Sequence, residues 1–296
     1  IQQALVTGAN GFIGSNVCAA LRKQGIATRG LVLPGTGTGE IMALGVEIVE
    51  ADITEPLPAS IFQGVTHVFH LAAIPFDWGP KSLFESVNVN GTRHVLEGAA
   101  SAGVAHFVHM SSLAVHAYSG HDDGDENTPR DGAINHSCST KNPAEDRDRG
   151  FAERLRVTVI RPGVVPWGPG DRMSLPGIVQ ALDKGIYMHV RGGRTRVCIS
   201  YVENLAAGMI RAARREGNAC ETYVLTDESL TWKDFIARIA RAFDKRTPRG
   251  SLPYGLAYAI AFLMEQAWRW LPLPGSPELT RYRISLFYGD LVFSSD

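Results

Sequence analysis

The sequence is short of several things, and each shortage excludes something. It holds four cysteines, Cys18, Cys138, Cys198 and Cys220, far apart and without a CxxC pair or a zinc-type spacing. A disulfide-built scaffold is therefore excluded, and the four read as free thiols in a reducing compartment, which makes a cytoplasmic location the expectation. Neither sign of charge dominates. Lys and Arg total 29 against 30 Asp and Glu, a net charge of −1, so nothing points to a nucleic-acid partner. There is no uninterrupted apolar run of about 20 residues, the length a membrane-crossing helix needs. The most apolar stretch, 252–271, is broken at Glu265. It reads as a buried or cleft-lining helix, with contact to a membrane surface as the lesser alternative. No repeat, low-complexity tract or charge block is present. No signal-peptide pattern opens the chain. It starts at Ile1 and stops at VFSSD, so either natural terminus can lie beyond it.

What is present is an alternation. Of the 296 residues 45% are hydrophobic, ordinary for a globular protein. The apolar runs QALVTG, ATRGLVL, VEIVEADI, THVFHLAA, HFVHMSS and RVTVIRPG read as strands. FIGSNVCAALRKQG and SLFESVNVNGTRHVLEGAASAG carry helical spacing, closed by Gly25 and Gly103. Strands separated by helices give an α/β fold, a doubly wound parallel sheet of the Rossmann type. The texture changes after Pro162, where Pro and Gly become frequent. The expected division is a nucleotide-binding domain over 1–165, rejoined by 199–227. The segments 166–198 and 228–296 form a smaller, mostly helical substrate lobe.

The strongest local signal is VTGANGFIG, residues 6–14. Gly8, Gly11 and Gly14 fall between the first strand and the first helix. The first supplies the turn, the second lets a pyrophosphate approach the backbone, and the third lets helix and strand pack closely. The helix N-terminus then offers unpaired N–H groups to the phosphates. Asn10, Phe12 and Ile13 complete this loop.

These glycines, with several further motifs, resemble the extended short-chain dehydrogenase/reductase family, over nearly the whole chain. The motifs are EADI around Asp52 and Ile53, HLAA with Leu71, Ala72 and Ala73, NVNGT with Asn90, and RPG with Pro162, Gly163 and Val164. The flavour resembles the 3β-hydroxysteroid dehydrogenase and ketoacid reductase branch more than the sugar-nucleotide epimerases. The resemblance implies that those residues bind a nicotinamide cofactor. NAD and NADP are not distinguished, because Leu33 and Pro34 stand where strand two would present a carboxylate or a base. Thr36 and Thr38 are weak candidates for a 2′-phosphate, and Arg29 lies too early. Pairing into a homodimer through the long helices of the main domain is expected by the same analogy.

In that family a tyrosine passes the proton, a lysine four residues later lowers its pKa and holds the ribose, and a serine polarises the substrate oxygen. Ser112 matches the serine and Lys141 the lysine. Ser111 is expected to face the other way. The tyrosine position is then Ser137, and no tyrosine lies between Tyr118 and Tyr187. A serine hydroxyl is shorter than a phenol and a poorer acid. General acid catalysis supplies about 10²–10⁴-fold, so its loss slows a reaction without abolishing cofactor binding. His136, Tyr118, or Ser137 acting through a water are the candidate substitutes. Pro143 suggests that the helix begins near Lys141, since proline suits only a first turn.

His106, His109, His116 and His121 fit no metal-ligand spacing and read as structural or exposed. Cys138 is either a reactive thiol beside Lys141 or a packed neutral one. Trp167, Trp232, Tyr254, Tyr258, Trp268 and Trp270 read mostly as lobe core, with a few available to line an apolar pocket. The expected function is oxidoreduction of a secondary alcohol and ketone pair in a fairly apolar small molecule. The alternatives are a nicotinamide-binding protein with little turnover and a non-redox lyase or cyclase in the same cleft.

Overall fold

The computed structural model describes residues 1–172, 174–271 and 273–294. Met173, Pro272, Ser295 and Asp296, which fall in the expected lobe, lie outside the described residues. Seven parallel strands form the main sheet: β1 (Gln3–Thr7), β2 (Ala27–Val32), β3 (Glu47–Glu50), β4 (His67–His70), β5 (His106–Met110), β7 (Arg156–Pro162) and β11 (Cys220–Leu225). Their order is β11-β7-β5-β4-β1-β2-β3. Ala4, Leu5 and Val6 are fully buried, as a central parallel strand covered on both faces requires.

One face is covered by α1 (Phe12–Lys23) and α7 (Val202–Arg214), with Val17, Leu21, Leu205 and Met209 in a single core. On the other face a long helix runs from α3 (Lys81–Phe84) through a π-helical stretch, Glu85–Gly91, into α4 (Thr92–Ser101). It lies beside α5 (His136–Gly150), over a core of Phe62, Val95, Leu96 and Phe107. Short α2 (Gly39–Ala43) follows β2. Strand order reverses between β1 and β4, and the crevice outside their carboxyl ends is where open α/β sheets bind ligands.

The lobe is helical but also carries a sheet that the sequence pattern did not disclose. Strands β6 (His121–Gly124), β8 (Val165–Trp167), β10 (Arg196–Tyr201), β12 (Glu228–Thr231) and β14 (Leu291–Phe293) join in it, and β9 (His189–Val190) pairs with β13 (Ser251–Leu252). Against it pack α6 (Ser174–Asp183) and α8 (Trp232–Ala242), with Val197, Ile199, Trp232, Phe235 and Ile236 as core. The apolar stretch forms α9 (Tyr254–Trp270), followed by α10 (Arg281–Ser285). Of the expectation that this stretch is a buried or cleft-lining helix, the buried reading needs correction. Only Ala257, Ala261 and Glu265 of α9 are buried, whereas Leu256, Phe262 and Leu263 are exposed and Trp270 is 82% exposed. Glu265 is tied by its carboxylate to the backbone N and Nε of Arg281, both at 2.7 Å, so a buried anchor sets which face turns inward. No helix of the described residues is long and apolar enough to cross a membrane.

Candidate active site

The glycine loop behaves as its spacing implies. Gly8 has φ 64°, and a Cβ there would stand 3.0 Å from the backbone of Ala72. A Cβ on Gly14 would stand 2.1 Å from Gly8 O, so α1 meets β1 only through glycine. No side chain caps α1 and no acidic residue occupies its first turn. Its N-terminal N–H groups are therefore left for an anion, and the cradle fits a dinucleotide pyrophosphate. Asn10 Nδ2 donates to Thr36 Oγ1 at 2.8 Å and to Gly37 O at 3.1 Å. Thr36 Oγ1 in turn donates to Leu33 O, so the hydroxyl expected to meet a 2′-phosphate is already committed. Arg29 is committed too, paired with Glu47 at 3.0 Å. Leu33 is 53% exposed at the end of β2, and Asp52 is exposed after β3 with Ile53 buried beside it.

A buried chain fixes the next wall. Thr92 Oγ1 donates to Asn88 O at 2.7 Å, so at 3.0 Å it accepts from Nε2–H of His70. Nδ1 of His70 is then the acceptor for Thr7 Oγ1 at 2.8 Å. That same Thr7 oxygen accepts the N–H groups of Leu71 and Ala72, both at 3.1 Å, which holds HLAA against Gly8. His70 is kept neutral: burial, then His109, then Lys141 push its pKa well below the usual value.

The asparagine of NVNGT that enters this wall is Asn88. Its Oδ1 accepts from Ile74 N at 2.8 Å, and its Nδ2 donates to Thr140 Oγ1 at 3.1 Å. Asn90, the expected cofactor residue, is exposed two residues further along the π-helical stretch.

Helix α5 begins at His136, not near Lys141. Asn135 caps it by accepting from Cys138 N at 2.8 Å, and Pro143 sits inside the helix. Asn142 Nδ2 bridges to Val115 O at 3.2 Å and Arg130 O at 3.0 Å, fixing the segment through which the proline runs. Ser137 and Lys141 are one turn apart, about 40° round the helix. Lys141 is desolvated, which lowers its pKa. Among the described residues no group hydrogen-bonds or ion-pairs with its Nζ. His136 is exposed and Ser137 half-buried.

Ser111 and Ser112 divide as strand alternation requires. Ser111 is buried and donates to Glu145 Oε1 at 2.6 Å. Ser112 is half-buried, and its Oγ accepts only from Ala114 N, at 3.1 Å. After β7, Pro162 leads into Gly163, whose N donates to Ser200 Oγ at 2.8 Å. A Cβ at Gly163 would stand 2.8 Å from that oxygen, so this glycine is where β10 crosses close. Val164 packs half-buried beside it.

Cys138 is the packed neutral thiol, 2% exposed, with its pKa pushed up to about 12 by burial against the smaller opposing effect of Lys141. His106, His109 and His116 are buried and hydrogen-bonded within the fold, and His121 bonds Ala117 O at 2.6 Å. Tyr118 Oη lies 3.3 Å from Tyr282 Oη of α10. Sequence reading missed Tyr282, since nothing in RYRIS marks it.

A glycine-cradled anion site at a Rossmann switch point, with a serine and a free lysine beside it, defines a nucleotide-dependent enzyme of the short-chain dehydrogenase/reductase type. The model of the 3-beta hydroxysteroid dehydrogenase/isomerase family matches residues 5–253, and the chain belongs to that family. It is 27% identical to a 2-alkyl-3-oxoalkanoate reductase of Stenotrophomonas maltophilia (strain K279a), over 94% of this chain and 87% of that protein. It is 30% identical to a 4-hydroxy-2-methyl-3-oxo-4-farnesyl-3,4-dihydroquinoline-1-oxide ketoreductase of Stigmatella aurantiaca, over 99% and 89%. Among solved structures it is similar to gox2253, with TM-score 0.81 and 28% identity over 100% of this chain and 91% of that one.

Proposed function

We propose that this protein reduces a ketone of a fairly apolar small molecule to a secondary alcohol, using NADH or NADPH. The observation that carries this reading is Lys141, a desolvated ammonium with no hydrogen-bond or ion-pair partner among the described residues, close enough to depress His70 at the cofactor wall. A partly desolvated ammonium left without a partner is retained at a cost when something it must bind is missing. A nicotinamide ribose is the ligand that its position fits. Two relatives named for reducing a 3-oxo compound support the ketone as substrate.

Gly8, Gly11 and Gly14 hold the pyrophosphate, and Leu71, Ala72 and Ala73 line the nicotinamide side. When bound, the reduced cofactor supplies hydride. Ser112, whose hydroxyl proton is uncommitted, donates to the substrate carbonyl oxygen and polarises it. Lys141 holds the ribose and stabilises negative charge developing on that oxygen. Ser137 stands where the family's phenol belongs in this reading, and its hydroxyl can only pass on a proton that it receives.

Titration with NADH and with NADPH, followed by nicotinamide fluorescence, tests the first half: one form should saturate. Reduction of ethyl 2-methylacetoacetate, a 2-alkyl-3-oxo ester, tests the second. Failure of both forms to bind would remove the reading. A second reading, a nicotinamide-binding protein with little turnover, is favoured by the serine at 137. Under it Ser137→Tyr gains no activity.

A further inference from the structure

We propose that Tyr282, carried by the lobe helix α10 and hydrogen-bonded to Tyr118, is the proton donor for the carbonyl oxygen, replacing the phenol absent at position 137. This rests on the ketoreductase reading and adds to it a residue from a different element.

The geometry starts with how firmly Tyr282 is held. On one side of it Arg281 is fastened to Glu265. On the other, Arg283 spans both oxygens of Asp77, at 3.1 and 3.0 Å, and Thr280 bonds that same carboxylate. Asp77 lies on the loop that leaves β4 after HLAA. The clamp therefore sets α10 over the carboxyl edge of the main sheet, beside the wall given to the nicotinamide. Between two anchors, one phenol is presented.

What it meets is the pair of elements that carry the expected catalytic residues. Tyr118 lies on the loop six residues after Ser112, and the two rings stand 5.8 Å apart with their hydroxyls at 3.3 Å. Cys138, next to Ser137 and one turn before Lys141, bears electrostatically on both phenols. Both are half-buried rather than sealed in the core.

The step balances. The carbonyl carbon takes hydride from the reduced nicotinamide, and the C=O π pair moves onto oxygen. That oxygen takes the proton of Tyr282 as the Oη–H bond breaks. The electron pair left on Tyr282 is reprotonated from Tyr118, and Tyr118 from solvent. Burial holds both phenols protonated well into the alkaline range, which suits a donor in the reducing direction.

The test uses the full chain, reduced nicotinamide and ethyl 2-methylacetoacetate. For wild type, kcat should stay level from pH 6 to beyond about pH 9. Tyr282→Phe should lower kcat by about 10²-fold or more, with KM within about threefold and a rate that now falls as pH rises. Two readouts stand apart from activity. The variant should bind the reduced cofactor as wild type does, by fluorescence, and its ultraviolet titration should lose one high-pKa tyrosine. Adding Ser137→Tyr should recover at least tenfold. A Tyr282→Phe variant that keeps kcat within about threefold overturns the assignment and leaves the ketoreductase reading standing. A wild-type rate that falls with a midpoint near pH 6.5 also overturns it, without relying on any variant. If wild type binds the reduced cofactor and reduces no ketone, both ideas fall together.

Discussion

Arg161 and Glu145 form a buried two-bond pair, Nε to Oε1 at 2.9 Å and Nη2 to Oε2 at 2.7 Å, with side chains 0% and 1% exposed. The pair joins the end of β7, where RPG turns, to α5 one turn beyond Lys141. Ser111 adds a third bond to the same carboxylate. Helix α5 and two strand ends are thus registered by a charge pair rather than by apolar packing alone.

Removing Arg161 leaves the buried Glu145 carboxylate with only Ser111 and the longer, 3.4 Å contact of Arg130, and breaking a buried pair in this way costs up to about 3–5 kcal/mol. Arg161→Met should therefore destabilise the fold by that amount in urea unfolding, while Glu145→Gln, which keeps the bond-forming shape, should cost less. The acid limb follows from the same pair. Burial raises the Glu145 carboxyl, but the bonds and charge of Arg161, with Ser111, outweigh it and hold its pKa below the ordinary value. A depressed carboxyl contributes stability above its unfolded pKa of about 4.3, and the contribution is lost as pH falls towards the folded value. Wild type should lose stability between pH 5 and lower pH more steeply than Glu145→Gln, measured by unfolding at stepped pH.

Pro143 gives the second prediction. It lies in the interior of α5, where it supplies no N–H to the carbonyl of Ser139, and a proline there costs on the order of 3 kcal/mol relative to alanine. Its side chain is exposed, so Pro143→Ala loses no packing. The substitution should raise stability by about 1–3 kcal/mol, read from the shift of the urea midpoint. A straighter helix also moves Ser137 relative to Lys141, so turnover should change while cofactor binding does not.

The same residue shows what the sequence discloses and what it conceals. Features set by neighbours in the chain were legible: Gly8, Gly11 and Gly14, six of the seven strands of the main sheet, the opposite facing of Ser111 and Ser112. Pro143 misled because a cap at Asn135 and the bridges of Asn142 support a helix that local propensity would start later. The π-helical stretch at 85–91 was not legible either, since no composition signals it. Tyr282 was invisible because its partner Tyr118 is 164 residues away, and only the Asp77 clamp brings the two elements together. The sequence offered no sign of the Arg161–Glu145 pair, since pairing across a helix and a sheet leaves no local pattern.

Gly14→Ala tests the cradle. With a Cβ 2.1 Å from Gly8 O, backbone must move, since no flexible side chain is there to yield. The expected cost exceeds about 2 kcal/mol, and reduced nicotinamide should no longer bind at concentrations that saturate wild type. Gly11→Ala meets Gly8 O at 3.1 Å, a milder approach, so it should keep more of the stability and lose mainly binding. Thermal unfolding beside a fluorescence titration separates the two.

Lys141→Met separates folding from function most sharply. Lys141 is half-buried and its ammonium makes no hydrogen bond or ion pair among the described residues, so its partial desolvation works against folding, the same direction as its lowered pKa. Replacing it with an apolar chain of similar length removes the desolvation cost and leaves no orphaned partner. The apo protein should become more stable by about 1 kcal/mol, a gain of the kind seen when a functional charge is removed from a buried site. Binding of reduced nicotinamide should weaken by about tenfold or more, because the group held in place for the ribose is gone. Lys141→Met that loses stability instead would mean that the lysine has a structural partner, and the case for a cofactor contact would lose its foundation. Unfolding and cofactor titration on the same sample decide between these outcomes, and neither measurement needs the substrate.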